Sequence, residues 1–524
     1  MNLLSRTLLA GLALTAACSL HAKELTTEER ALHVLNRLGY GPRPGDVERV
    51  AAGGIERYIE SQLHPESIAM PPALLQRLDG LTATRISAGE SLAQFEAARK
   101  AAKGDAEDAK KQRRDIYQRM ALQTAEARLA RAIDSPRQLE EVMVDFWFNH
   151  FNVFAGKGLD RALIASYERD AIRPYALGNF RDLLGATAQH PAMLFYLDNW
   201  LSVAPGYQPA RARGKGAAQK SSGLNENFAR EVMELHTLGV DGGYSQKDVT
   251  ELARMLTGWT FVPREMVRDD RTFVFDPRRH DNGDKEWLGR HISAGGRAEG
   301  DAALDILAAH PATARHISYQ LAQYFVADKP SPALVDRLTR RFEETRGDIR
   351  AVLGTLFASA EFRDPAIVGS KFKTPYQYVI STARAADVQV RNVRPLLGTL
   401  AQLGMPLYGC PTPDGYKNTE EAWLNPDGLT RRINFATALA SGKLPFGRPD
   451  EDEDAPAMSK GQLERAAEPE RKESNRWAVA PVDSVQLMTT LGPSISPRTR
   501  TAVTESAVPL RAALLLGSPD FMRH

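Results

Sequence analysis

The sequence predicts an all-α protein: a large multi-helix globular domain with a long charged helical excursion and at most a small β-hairpin. Three observations predict it. Apolar residues recur at helical spacing through most of the chain. Cap and stop residues bracket those periodic stretches. Strand-like alternation is scarce, and no βαβ alternation appears, so the reading is about fifteen helices in one domain, residues 23–524.

The chain opens with MNLLSR, one positive charge at Arg6, and an apolar run at 7–20, TLLAGLALTAACSL. That run is too short to span a bilayer, and a polar helix start follows it, the layout of a cleaved signal peptide over 1–22. Leu20-His21-Ala22 is the expected cleavage site. Lipid attachment at Cys18 is the rival reading, with Thr15 where a lipobox carries Leu. Thr26-Thr27-Glu28-Glu29 then reads as a capping box, with Leu32, Leu35 and Leu38 on one face and Gly39 and Gly41 as stops. Two short helices follow, Pro44 to Gly53 and Ile55 to Leu63. Residues 86–135 interleave Lys and Arg with Glu and Asp and read as an exposed helical hairpin. PRQLEEVMVDFWFNHFNVF, 136–154, is a dense apolar helix. His-Pro pairs at 190–191 and 310–311 place Pro at the first position of a helix, where its fixed φ and missing donor fit. Residues 204–223 and 446–476 are poor in apolar side chains and read as mobile loops. The best strand signal is Thr272-Phe273-Val274-Phe275.

Composition bounds the function. The net charge of +2 gives no global pull on nucleic acid. No later apolar run is long enough to span a membrane. The two cysteines are Cys18 and Cys410, so removal of the leader leaves no intrachain disulfide. Cys410, in a Gly-Cys-Pro turn, reads as a buried filler. Phosphate-loop, dinucleotide, zinc-helix, Cys-x-x-Cys and Gly-x-Ser-x-Gly motifs are all missing. No cofactor and no metal-ligand set are assigned.

The informative stretch is 225–259, NENFAREVMELHTLGVDGGYSQKDVTELARMLTGW. Asn225 is an N-cap and Gly239 an αL stop. Between them Asn227, Arg230, Glu231 and Glu234 share one helix face, while Phe228, Val232 and Leu235 form the other. His236 falls among the apolar residues. Ser245-x-x-Asp248 caps a second helix with the stripe Val249, Leu252, Ala253 and Leu256. Two Glu side chains one turn apart hinder each other's ionisation, so a desolvated pair supplies an acid and an ionised partner. The alternative is an exposed face with a weak Arg230–Glu234 pair.

Other residues are candidates to converge on that hairpin. Asn149 and His150 lie in the aromatic helix. His280, Asp281 and Lys285 lie in a polar turn, HDNGDKEWLG at 280–289, readable as a base pair, as metal ligands or as an ordinary Asx turn. Trp147, Trp259, Trp287 and Trp423 offer sugar-stacking faces or core bulk.

These residues carry a resemblance. The chain is similar to a bacterial family catalogued as domain of unknown function 1800. The resemblance rests on His33-x-x-x-Arg37-x-Gly39-x-Gly41, Phe146-Trp147-x-Asn149-His150-Phe151 and Glu226-Asn227-x-Ala229-Arg230-Glu231-x-x-Glu234-Leu235-His236-x-x-Gly239. Tyr244, Asp248, Arg254, Thr257-Gly258-Trp259 and His280-Asp281-x-x-x-Lys285 extend it, as do Lys371-x-Lys373-x-Pro375 and Arg431-Arg432-x-Asn434-Phe435. Phe148 stands where the pattern suggests a more polar residue. The resemblance implies an exported helical protein, often encoded beside a sulfatase-like partner, and implies no particular activity. It shifts the weight for Glu231 and Glu234 toward a buried functional or network role.

Two functions follow as expectations. One is an exported envelope enzyme acting on a polysaccharide or similar polar polymer by Glu-based acid/base chemistry. Its catalytic residues are Glu231, Glu234, His280 and Asp281. Asn149, His150, Asn227, Arg230, His236, Arg254, Trp259 and Lys285 surround the substrate. The other is a non-catalytic envelope assembly or export factor working with the sulfatase-like partner.

Overall fold

The structure is a computed structural model, and it describes residues 24–101, 107–208, 223–447 and 479–524. The leader lies outside these residues, as do most of the two expected loops.

Helix ends follow local chemistry. The first helix, Thr27–Arg37, is capped by Thr26, whose side chain accepts from Glu29 N while Glu29 returns to the Thr26 backbone. Its Leu32 and Leu35 face inward and pack it on the helix Asp46–Gly53. Helices Pro191–Tyr196 and Pro311–Phe325 each begin with Pro after a His whose ring accepts a backbone N–H from two residues on. The charged excursion is a hairpin of helices Ala88–Ala101 and Glu107–Asp134. Its outer part is exposed, whereas Leu129, Ala132 and Ile133 at the base enter the core.

Two helices are buried nearly all round, the mark of a central position. Gln138–His150 buries Val142, Met143, Phe146, Trp147 and Phe148, and every residue of Pro375–Ala385 is buried. The apolar cluster around them runs from Ala31 to Met522. The protein is thus an all-α, multi-helix fold, and its described residues contain two small two-stranded sheets. Val274–Phe275 pairs antiparallel with Trp259–Thr260, so the sequence-predicted strand finds its partner beyond the helical hairpin. Lys285–Trp287 pairs with Arg290–Ile292. The intervening Leu288 and Gly289 both have positive φ, at 49° and 70°, as a type I′ turn requires. No helix among the described residues is long and apolar enough to cross a membrane.

Candidate functional site

The helical hairpin forms as its caps dictate. Asn225 accepts from Asn227 N at 2.9 Å and anchors helix Glu226–Glu234 to Leu197 O at 2.8 Å. Ser245 and Asp248 form the box that starts Gln246–Met255. Gly239 takes φ 84° between the helices, and a Cβ there would lie 2.9 Å from the His316 ring. Phe228, Val232, Val249, Leu252 and Leu256 are fully buried between the helices and the core. The opposite face carries the polar groups.

On that face the charges divide unevenly. Arg230 donates to Gln246 at 2.6 Å, Gln246 donates to Glu226 at 2.7 Å, and Thr250 donates to Glu226 at 2.8 Å. Arg230 therefore ties the two helices together and makes no ion pair with Glu234. Glu234 accepts the Tyr244 hydroxyl at 3.2 Å. Glu231 is half-buried, and no described residue gives its carboxylate a hydrogen bond. Burial first, then the Glu234 charge and Asp414, push the Glu231 carboxyl up from 4.5 to about 7, with Arg230 opposing. Burial and Glu234 likewise push the Tyr244 phenol up to about 12.

Asp414 belongs to a loop held from below by the aromatic helix. Asn149 clamps the Tyr416 backbone, donating to its carbonyl at 2.8 Å and accepting from its N–H at 2.7 Å. Asn152 donates to Cys410 O at 3.0 Å and Thr412 O at 2.8 Å. Tyr196 adds a bond to Pro411 O at 2.8 Å. Gly415 sits at φ 67° so close to this helix that a Cβ would lie 2.3 Å from Asn149 O. Lys417 and Thr412 hydrogen bonds outweigh the burial of Asp414 and hold its carboxyl low. Beneath the loop lies a cavity of about 30 Å³ lined by Arg128, Asp145, Asn149, Tyr376, Tyr408 and Tyr416, among others. Phe148 packs there against Tyr408 and under the Arg128 guanidinium, which explains an apolar ring at that position.

His280 and Asp281, expected to approach the Glu pair, take their hydrogen bonds in a network around Glu299. His280 bonds Thr257 O at 2.8 Å and Glu299 Oε1 at 3.2 Å. Lys285, its side chain 0% exposed, pairs with Glu299 Oε2 at 2.6 Å and donates to Asp281 O. Gly295 and Gly296 N–H groups complete the Glu299 shell at 2.7 and 3.0 Å. Asp281 is engaged by Arg254 at 2.8 and 3.1 Å, and Arg254 also holds Glu251 at 2.7 Å. Burial alone would raise Glu299 and Asp281, but these donors hold both carboxyls low. Among the described residues, no hydrogen bond or ion pair joins this network to Glu231 or Glu234.

Four of the residues expected to surround a substrate are buried. Trp259 is 0% exposed, against Phe273 and the backbone at Gly300. His150 and His236 are core imidazoles, linked by His150 Nε2 and His236 O at 3.2 Å. Burial pushes the His236 ring down to about 3 and also lowers His150, so both are neutral. Lys285 is enclosed as described. Trp147 and Trp287 are likewise core residues, whereas the half-buried Trp423 backs the Asp414 loop through its N–H to Lys417 O at 2.6 Å. Asn227 is exposed and Arg230 half-buried beside Glu231. Among the described residues no group of three or more His, Cys, Asp or Glu side chains is placed to hold a metal ion.

Residues 33–523 match the family model described as a protein of unknown function, DUF1800. The chain belongs to the DUF1800 family. No curated protein and no solved structure matches it. The DUF1800 match takes in both the hairpin and the Asp414 loop. Asn152, Tyr196, Glu299 and Asp414 carry geometry that sequence reasoning missed. The one local signal was Asn149-x-x-Asn152, two amides near the end of an otherwise apolar helix.

Proposed function

We propose that this DUF1800 protein is an exported enzyme that cleaves a polysaccharide or similar polar polymer by acid/base chemistry at Glu231 and Glu234. The observation that carries the reading is the Glu231 carboxyl: half-buried, without a hydrogen-bond partner among the described residues, and raised to about 7. A carboxyl poised there gives and takes a proton at neutral pH. Protonated Glu231 donates to the leaving-group oxygen as the glycosidic bond breaks, water adds to the sugar carbon, and the Glu231 carboxylate takes the proton that this water gives up. Glu234, oriented by Tyr244, stabilises the positive charge that develops as the bond breaks. Arg230 and Asn227 orient the polymer along the helix face. Glu231 and Glu234 line neither the cavity of about 30 Å³ under the Asp414 loop nor one of about 260 Å³ beside His310, and in this reading the polymer lies across the helix face.

A second reading, a non-catalytic envelope assembly or export factor with a sulfatase-like partner, draws on the closed Glu299 network. Incubation with envelope and plant polysaccharides, read as new chain ends, separates the two. The catalytic reading expects cleavage, lost by about 10²–10⁴-fold in Glu231→Gln and Glu234→Gln, with neither variant melting below wild type. Absence of cleavage, with cellular function retained in Glu234→Gln, favours neither carboxylate as a catalyst. Export rests on the pattern at 1–22, and a mature N-terminus at Lys23 in the exported fraction would support it.

A further inference from the structure

Three motif segments outside the helical hairpin meet in one buried place. They are His33-x-x-x-Arg37, Lys371-x-Lys373 and Arg432, joined by the last residues of the chain. Lys371 exchanges both backbone hydrogen bonds with His524, and Lys373 N donates to Met522 O at 2.9 Å. The His524 ring bonds Asn36 O at 3.0 Å, between His33 and Arg37. Arg37, Lys371, Lys373, Arg432, His33 and His524 are all buried.

Charge is out of balance there. Lys371 pairs with Asp328, whose other oxygen accepts from Glu420 N at 2.7 Å. Arg37, Lys373 and Arg432 form no ion pair with any described residue, although the Asp328 charge also acts on Arg37 and the carboxylate of His524 lies beside Lys371, which leaves four cations against two anions. Arg37 reaches Ile367 O at 2.7 Å and Ser370 Oγ at 3.2 Å, and its Nε and Nη1 have no partner. Arg432 reaches Lys373 O at 2.7 Å and lies between the Phe372 and Tyr378 rings, again with Nε and Nη1 unpartnered. Lys373 donates to Phe521 O at 2.8 Å. His33 Nδ1 and His524 Nε2 are also unpartnered. Each imidazole gives its N–H to a carbonyl, so the free nitrogen becomes a donor only on protonation, which a neighbouring anion favours. Burial and Arg432 push Lys373 down to about 7, as expected of an ammonium without a counter-charge.

Buried charges are paired or they are costly, and an orphaned guanidinium donor adds its own desolvation penalty. Water would satisfy donors but would leave the excess positive charge. The geometry points to a buried site for a small free oxyanion of the phosphate or sulfate class, held by Arg37 and Lys373 with Arg432 and His524 beside it. Guanidinium forks and an ammonium suit such an anion. None of its residues belongs to the Glu231 face, and the inference is independent of the reading given to that face.

The test uses the full chain purified in chloride buffer. Native mass spectrometry looks for a retained phosphate- or sulfate-mass adduct. Thermal melts then compare inorganic phosphate, sulfate and chloride at equal ionic strength. The site predicts either the adduct or a saturable rise of a few degrees with phosphate or sulfate and not with chloride. Arg37→Met and Lys373→Met abolish both signals. The sign of the stability change is a second readout. With the anion, each Met variant melts below wild type, because a counter-charge has lost its partner. Without it, removing an unpaired buried cation leaves the melting temperature unchanged or higher. No adduct and no saturable rise in wild type would overturn the site, whether or not the variants fold.

Discussion

Two carboxylate centres sit on neighbouring segments of this protein and are built in opposite ways. Glu299 is enclosed, with Lys285, His280 and two backbone N–H groups on its oxygens. Glu231 is half-buried beside a second carboxylate, and Asp414 adds a third negative charge. The first arrangement holds the carboxyl low and the second lifts it. Burial acts in the same direction on both, so the partners decide the outcome. A satisfied buried carboxylate fixes packing, whereas an unsatisfied one near neutrality is available to something outside the fold.

That contrast is open to direct attack. The largest effect is expected at the closed centre. Glu299→Gln leaves the Lys285 ammonium buried without its counter-charge and should cost about 3–5 kcal/mol of stability in denaturant unfolding. A loss below about 1 kcal/mol would mean that the network is looser than its distances indicate.

The next effect concerns the loop that faces Glu231. Gly415→Ala must displace either the backbone at Asn149 or the loop, at a cost of about 1–3 kcal/mol. If Asp414 contributes to the Glu231 environment, the same change lowers the Glu231 midpoint. A stable Gly415→Ala protein with unaltered titration would detach the loop from the site.

The smallest effect has a definite sign. The folded protein binds the Glu231 proton more tightly than the unfolded chain, so this residue lowers stability progressively as pH rises from 4.5 to about 7, and the loss is constant above that. Glu231→Gln should therefore match wild type below pH 4.5 and exceed it above pH 7. Solvent screening of a half-exposed group limits the gain to about 1 kcal/mol. Parallel stability–pH curves for the two proteins would contradict the raised midpoint.

Much of the fold was legible because it is local. Thr26, Asn225 and Ser245 cap helices within three residues of themselves, and Gly239 and Gly258 stop them through positive φ. The shared face of Glu231 and Glu234 follows from helix geometry alone. The rest depends on distant segments. Asn149 meets Tyr416 across 267 residues, and Lys285 meets Glu299 from a different element. No periodicity encodes such meetings, so the sequence does not reveal that His280 and Asp281 bond within the Glu299 network. The second hairpin escaped notice because Leu288, rather than Asn or Asp, occupies its first left-handed turn position. For Trp259, spacing leaves stacking face and core bulk open, because it does not reveal that Phe273 and Gly300 enclose the ring.

The central claim is that Glu234 and burial together hold Glu231 near neutrality. Carboxyl-carbon NMR of selectively labelled Glu, titrated in wild type and in Glu234→Gln, measures this directly, with Glu231→Gln assigning the resonance. The account predicts a Glu231 midpoint near 7 in wild type and a clear fall when the Glu234 charge is removed. A wild-type midpoint in the ordinary carboxylate range, or one that ignores Glu234→Gln, would contradict it.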